Sequence, residues 1–550
     1  MTRKKKILFV TESHKLASGF GTYAKEILQR IYDTGKYEIA QFACYSPPTA
    51  FENTDWLTYG VAPMPHEEEY SKQHTQNPAV QWGVTRFEHA CLDFKPDIVM
   101  TYRDPWMDAF IADSSLRPFF HWVWMPTVDS EPQKDEWLYQ LFNRCDGLLG
   151  YSEFAKKVIE DRTHGRIKVQ GFASPGINPE DFYIISNKEK HKQKMGIASD
   201  SFVVGTVMRN QKRKMFPELM KSFAEFVKTA PADIANKSLL YLHTSYPEKM
   251  GWNITSLAHE LGIGSKLITT YVCRSCQKYF CSHYRDAITQ CNHCGKISAV
   301  LPGVANGIDH SELVNIYNVM DIYVQYAICE GFGMPQVEAA ACGVPITSID
   351  YSAMEDVVRY CKGFPITPKL QREMETNADR SGANNQELVK ILKSYSKKDV
   401  MQKNKKRIET REGCISRYTW DIAAGVWEKY FDTVELGGLQ GRWDAPPMIK
   451  PPPKEAPKNI NHVNFCEWIW TAVVQDQYNA WNYRMLADLR NLNFGADIGK
   501  ALQPVTQELL FKEYYMLAEK RHVFDCLRTG VLRQNQPEEF ILQAHNRMKK

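Results

Sequence analysis

The 550-residue sequence shows no run that reads as a signal peptide or as a membrane span. Its start, "MTRKKKILFV", has a basic lead, but the apolar run is four residues long and polar "TESHK" follows at once. That reads as a buried strand, not a signal peptide. No stretch approaches the roughly 18 uninterrupted apolar residues of a membrane span. Even "WIWTAVV" is closed off by Gln475 and Asp476, so any membrane contact would be peripheral. A disulfide rhythm is also missing. Outside one cluster, cysteines such as Cys44, Cys91, Cys145, Cys342 and Cys526 are scattered, which suits a reducing cytoplasm. The formal charge of +4 is small for this length and demands no nucleic-acid partner, although basic patches remain open to it.

What is present begins with a rhythm. Short apolar runs alternate with helical patterns: "ILFV", "DIVMTY" and "GLLGYS" early on, then "FVVGTVM", "SLLYLHT", "KLITTYV", "DIYVQY" and "VPITSI". Such alternation predicts an α/β fold with parallel sheets covered by helices on both faces. The pause at "ASPGINPEDF" divides it into two doubly wound, Rossmann-like domains, residues 1–178 and 179–435. A Pro-rich stretch, 436–459, reads as an extended linker. Residues 460–550 read as amphipathic helices rich in Trp, Tyr and Leu, a helical appendage with no catalytic pattern.

Within the second domain, residues 271–298 carry two Cys-x-x-Cys pairs, Cys273 with Cys276 and Cys291 with Cys294. Two knuckles joined by a short polar loop match one tetrahedral zinc site, and four thiolates leave no open position for water or substrate. The reading is a structural zinc ribbon inserted in a loop after the "KLITTYV" strand, leaving the sheet intact. Cys281 and His283 lie between the knuckles and stand as alternative ligands. On this reading a chelator should unfold the insert and leave ligand binding elsewhere in the domain largely intact.

The chemistry must then lie elsewhere, and "YAICEGFGMPQVEAAACGVP" is the richest candidate: a strand, a Gly-punctuated turn and a helix opened by Pro335. Glycines at 331 and 333 let backbone N–H groups approach a ligand, and a helix N-terminus favours phosphate. Carboxylates at Glu330 and Glu338 beside an anion site suit a sugar nucleotide, whose hydroxyls donate to carboxylates. Acids near a helix N-terminus also stabilise the helix itself, an alternative open for Glu338 alone.

Glu330-x7-Glu338 within "EGFGMPQVEAAACG" closely resembles the motif of the retaining GT-B glycosyltransferases of family 4. "SGFGTYAKEI" resembles their N-terminal glycine loop, "SPGINPEDF" the interdomain segment, and "VMRNQKRKMFPELMKSF" the Arg/Lys phosphate turn. The resemblance covers about residues 7 to 435 apart from the insert. It implies a GT-B fold, two Rossmann-like domains facing a cleft, with a nucleotide-sugar as co-substrate. It further implies that Arg209 and Lys214 hold the donor diphosphate, Glu330 the donor sugar and Glu338 the ribose. Backbone at Phe332 and Gly333 would meet the phosphates, and Gly19 and Gly21 would let the first domain close over them. Lys212 and Arg213 read as a solvated basic turn. No Asp-x-Asp occurs in the chain, so no catalytic metal is expected. Retention in the family is attributed to front-face attack assisted by the leaving phosphate, without a protein nucleophile.

Relatives place a His near the reacting sugar where this chain reads Val128-Asp129. Asp129, and Asp104 at another strand end, are the candidate sugar or acceptor contacts, against the ordinary role of such acids as helix caps. His121 reads as a packed core residue. For the acceptor, the opening "FVTESHKLASGFGTYAKE" is similar to phage-encoded members, some of which decorate hydroxylated bases in viral DNA. Lys278, Tyr279, Phe280, His283, Tyr284 and Arg285 in the insert could stack on bases and pair phosphates, or could simply pack the ribbon. A hydroxymethylated base in double-stranded DNA, inside a host cytoplasm, is therefore the first expectation, and a saccharide or cell-envelope glycan the second. A non-catalytic scaffold that keeps the donor fold is a third reading, opposed by the intact Arg209, Lys214, Glu330 and Glu338 set.

Overall fold

The computed structural model describes residues 3–437, except 115, 286, 304 and 305, together with 439 and 443. The Pro-rich stretch and the helical appendage therefore lie outside the described residues. Among those described, no helix is long and apolar enough to cross a membrane.

The first sheet is wholly parallel and has six strands: β1 (Lys6–Glu12), β2 (Glu38–Cys44), β3 (Leu57–Gly60), β4 (Ile98–Thr101), β5 (His121–Trp124) and β6 (Gly147–Leu148). Their spatial order is β3-β2-β1-β4-β5-β6, so the chain reverses its direction of travel between β1 and β4. The interior residues of β1 are buried, as a parallel strand covered on both faces requires. Helix Gly19–Asp33 follows β1; its N-cap Ser18 accepts a hydrogen bond from the Gly21 N–H.

The second sheet is built around β7 (Phe202–Val207), β8 (Ser238–His243), β9 (Leu267–Cys273), β13 (Ile322–Gln325), β14 (Ile346–Ile349) and β15 (Phe364–Ile366). Here the order β9-β8-β7-β13-β14-β15 reverses between β7 and β13. In open α/β sheets, ligands settle at such reversals, beyond the carboxyl ends of the strands.

The Cys-rich segment adds β10 (Tyr279–His283), β11 (Ile288–Gln290) and β12 (Ile297–Val300). It departs from the expected loop insertion. β9 pairs with β8 in parallel, and its residues Ile268–Val272 also pair antiparallel with β10, while Val272 and Cys273 pair with β12. The last parallel strand of the sheet is thus the first strand of the ribbon. The two share a backbone ladder.

Beyond β15 a hairpin of β16 (Lys369–Glu373) and β17 (Ala378–Gly382) stands apart from both sheets. The final described helix, Trp420–Thr433, falls within the second unit by chain order but packs on the first sheet. Trp427 donates to the Tyr23 hydroxyl at 2.6 Å, and Phe431 meets Phe9 edge to face. Lys5 also donates to the Phe431 carbonyl. The two segments that cross between the units pair with each other: the Ile177 N–H donates to the Tyr418 carbonyl and the Trp420 N–H to that of Ile177.

Candidate active site and metal centre

Loops following β7 and β13, the strands that flank the reversal of the second sheet, are joined by a short ladder. The Met215 N–H donates to the Tyr326 carbonyl and the Ile328 N–H to that of Arg213, with Lys214 opposite Ala327. That register sets Lys214 and Arg213 over Glu330. Lys214 Nζ contacts Glu330 Oε1, Arg213 Nη1 meets Oε2 at 2.9 Å, and Gln325 Nε2 donates to Oε1 at 2.9 Å. Gln325 in turn accepts from the Tyr323 hydroxyl, and the Glu330 N–H donates to Ser352 Oγ. Glu330 is only 6% exposed, so a carboxylate there depends on these cations. Burial, with the Arg213 charge adding to it, pushes the Lys214 amine well below its ordinary value.

Arg213, which reads in the sequence as a solvated basic turn, is therefore the guanidinium at Glu330. Arg209 takes another course: it grips Glu248 through Nε and Nη2 at 2.6 and 2.5 Å and is half exposed. Glu338 is buried on helix Met334–Ala341 and accepts from the Tyr317 hydroxyl at 2.6 Å. Gly333 opens that helix with φ 87°, a left-handed backbone that strains any side chain, and a Cβ there would also press on Gln336 Nε2 at 2.8 Å. The Phe332 ring is buried edge-on to Tyr418, which leaves its backbone in the turn.

The first unit faces this turn at short range. A Cβ at Gly331 would come within 2.4 Å of Thr127 Cγ2, and one at Gly19 would find Met334 Sδ at 3.9 Å. The glycine loop after β1 thus lies against the start of helix Met334–Ala341. Gly21 has a local role as well, since a Cβ there would collide with the Leu16 carbonyl. Asp129 also reaches across: its carboxylate accepts from Arg380 Nη1 at 3.0 Å and from the Cys329 thiol at 3.3 Å, next to Glu330. Arg380, on β17, is held from behind by Glu373 at 3.2 Å. Asp104 sits after β4, at the reversal of the first sheet. Burial, reinforced by the Asp129, Asp108 and Glu12 charges and opposed by the Thr127 hydroxyl, raises its carboxyl to about 6. His121 is buried and bonded to the Tyr430 hydroxyl at 2.8 Å, as a core residue.

Lys214, Glu330, Gly331 and Asp129 are thus brought to one interface, with Gly19 and Glu338 along helix Met334–Ala341. Arg209 is directed to Glu248. Sequence reasoning passed over Arg213 and had no sign of Arg380, because a hairpin fifty residues past Glu330 carries no motif.

The four cysteines form the second cluster. The Sγ atoms of Cys273, Cys276, Cys291 and Cys294 all lie within 4.8 Å of one another, with Cys273 to Cys294 at 3.6 Å and Cys276 to Cys291 at 3.8 Å. The two knuckles repeat one conformation. Gln277 and Gly295, each just after the second cysteine, are left-handed, and their N–H groups donate to the carbonyls of Cys273 and Cys291. Hydrogen bonding with the Ser298 hydroxyl pulls the Cys273 thiol down to about 5, toward the thiolate that ligates metals. The set could hold one metal ion. Cys281 stands outside it, buried and bonded to the Tyr241 hydroxyl at 2.8 Å, and burial pushes its thiol up to about 12. His283 is exposed and is likewise not among the clustered ligands.

Residues 303–399 match the family Glycosyl transferases group 1. Solved structures share the fold across both units. Sucrose-phosphate synthase from Thermosynechococcus elongatus is 16% identical, with a TM-score of 0.54 over 78% of this chain and 100% of its own. HepE from Anabaena, in complex with UDP and glucose, is 15% identical, with a TM-score of 0.53 over 78% and 100%. A glycosyltransferase from Rickettsia africae is 13% identical, with a TM-score of 0.54 over 78% and 98%. These neighbours establish the GT-B architecture, two Rossmann-like domains facing a cleft. No curated protein matches the chain.

Proposed function

We propose that this chain transfers a sugar from a nucleotide donor to an acceptor hydroxyl, with retention of anomeric configuration and without a catalytic metal, in the manner of family 4. The observation that carries the reading is the convergence of Lys214, Arg213 and Glu330 at the reversal of the second sheet, under the glycine loop of the first. A diphosphate entering there competes for the two cations. Their charge stabilises it, and as it leaves as pyrophosphate-linked nucleotide the same fixed cations stabilise the departing anion. Glu330, released from the ammonium, accepts from the sugar hydroxyls. Glu338, oriented by Tyr317, accepts from the ribose diol, and the backbone of Phe332 and Gly333 lies beside the phosphates. Arg209 joins the diphosphate by exchanging Glu248 for it. Asp129 and Asp104 face the reacting sugar from the first unit.

For the acceptor, the ribbon offers little to a nucleic acid. Phe280 is stacked on Tyr271, Tyr279 accepts from Asn315 and Tyr284 is bonded to Thr255, so three rings that would stack on bases are committed to packing. A saccharide hydroxyl is the acceptor class we favour over a hydroxymethylated DNA base. We assign zinc to the four thiolates, as a structural ion, because four clustered thiolates suffice to fill a tetrahedral shell and leave no open position.

The test is transfer of label from a panel of nucleotide sugars to mixed oligosaccharides and hydroxymethylated DNA. UDP-glucose comes first, since the Anabaena neighbour holds UDP and glucose. Label should reach a saccharide, and Glu330→Gln, which keeps the side chain's volume, should abolish transfer in protein whose folding is verified by circular dichroism. Transfer unaffected by Glu330→Gln refutes the site, and label on DNA refutes the acceptor.

A further inference from the structure

The loop Ser245–Asn253, between β8 and the following helix, has two sides. On one side it is stitched to the cationic turn after β7. Asn210 and Trp252 exchange two hydrogen bonds, Asn210 Nδ2 to the Trp252 carbonyl at 2.9 Å and the Trp252 N–H to Asn210 Oδ1 at 2.8 Å. Trp252 Nε1 donates to the Lys214 carbonyl at 2.9 Å, and Glu248 holds Arg209. The fit is tight: a Cβ at Gly251 would lie 2.7 Å from Asn210.

On its other side the same loop rests on the ribbon. Tyr246 packs against the small core formed by Tyr271, Cys273, Phe280, Cys291, Ala299 and Leu301, which contains two of the four metal ligands. Its hydroxyl donates to Asn253 at 2.9 Å and receives Thr255, which also bonds the Tyr284 hydroxyl from the ribbon at 2.6 Å. A second, separate contact leads to the far end of the site. Tyr279 on β10 accepts from Asn315, and Tyr317 on the same helix, Leu313–Val319, orients Glu338.

We infer that the tetrathiolate metal centre is a positioning device for the donor site: it fixes the ribbon core on which Tyr246 rests, and through the loop 245–253, bonded to Asn210 and to the Lys214 carbonyl, it sets the turn that carries Arg209 and Lys214. The ribbon's own core is small: six buried residues bury little apolar surface, and many small zinc modules unfold without their metal. Tyr246 and Tyr284 also pack on the main core, so without the ion the Tyr246 seat loosens from its ribbon side and the loop loses part of one of its two supports. This reverses the expectation that chelation would spare donor binding. It rests on the donor reading for its functional consequence, though not for the mechanical link.

Two measurements on the full chain separate these. Hydrogen exchange is compared for zinc-loaded, chelated and zinc-reconstituted protein. Amides of 209–215 and 245–253 should exchange faster without zinc and recover with it, while those of β1 and β4 stay protected. Binding of UDP, GDP and ADP is then titrated in the same three states and in Tyr246→Ala and Tyr246→Phe. The preferred nucleotide should bind on the order of tenfold more weakly after chelation and in Tyr246→Ala, a typical size for coupling between sites. Tyr246→Phe, which keeps the ring on the ribbon core, should retain most of the affinity. Faster exchange confined to 271–298 with unchanged nucleotide affinity overturns the inference. Exchange coupling without binding of any nucleotide to the zinc-loaded chain overturns the donor reading and leaves the mechanical link standing.

Discussion

Glu330 and Lys214 are the residues whose environments demand each other. Both are nearly buried, but Glu330 keeps Arg213 and Gln325 as partners when Lys214 is removed. Lys214→Met should therefore lose about 1–3 kcal/mol of stability, less than an unpaired buried charge costs. The double variant Lys214→Met with Glu330→Gln should recover most of the loss, read by denaturant unfolding of each protein. Asp104 makes a different prediction. Its carboxyl is raised to about 6 in the native state, so between its unfolded value and about 6 the native protein binds the extra proton. Stability then falls as pH rises through that window, and the penalty is complete above it. Asp104→Asn should flatten the profile and stabilise the protein near neutral pH by roughly 1–3 kcal/mol. Unfolding midpoints at several pH values check it. Much of the candidate site was legible in sequence because a turn between strand and helix compresses Glu330, Gly331, Gly333 and Glu338 into nine positions. Arg213 reads like its neighbours because basic residues in a turn look alike until the ladder at Ala327 buries Lys214 and leaves the half-exposed Arg213 beside it within reach of Glu330.

Among elements, the parallel strands announced themselves as apolar runs, since both faces are covered and no polar alternation interrupts them. β2 escaped because Gln41, bonded to Thr11 and fully buried, breaks its run, and β3 because it is short and half exposed. The ribbon was recognised by its cysteine spacing, but its join to the sheet was not. A strand paired in parallel with β8 and antiparallel with β10 and β12 reads in sequence as one ordinary strand. The Gly331 turn gives the prediction at this scale. Gly331→Ala places a methyl against Thr127 Cγ2 and should push the two units apart, at a cost of about 1–3 kcal/mol and with weaker donor binding. Adding Thr127→Ser removes that methyl group and should restore the affinity. Nucleotide titration of the three proteins decides it.

For the whole molecule, helix Trp420–Thr433 ties the end of the second unit to the first. Its helical spacing was evident in sequence, but its destination was not, because an apolar stripe does not say which sheet it covers. Trp427→Ala should cost about 3–5 kcal/mol and lower the stability of the first unit in particular, since Tyr23 and Phe431 lose their packing partner. Domain-resolved hydrogen exchange would show protection lost from β1 and β4 before β7 and β13.

The polypeptide passes between the units twice, and the two passages are clasped together at Ile177 and Thr419. A single tether would act as a swivel. A clasped pair acts as a door hinge, admitting rotation about one line and resisting twist about the others. Any relative movement of the units should therefore return the Gly19 loop to the same turn of helix Met334–Ala341, the alignment being set by the clasp.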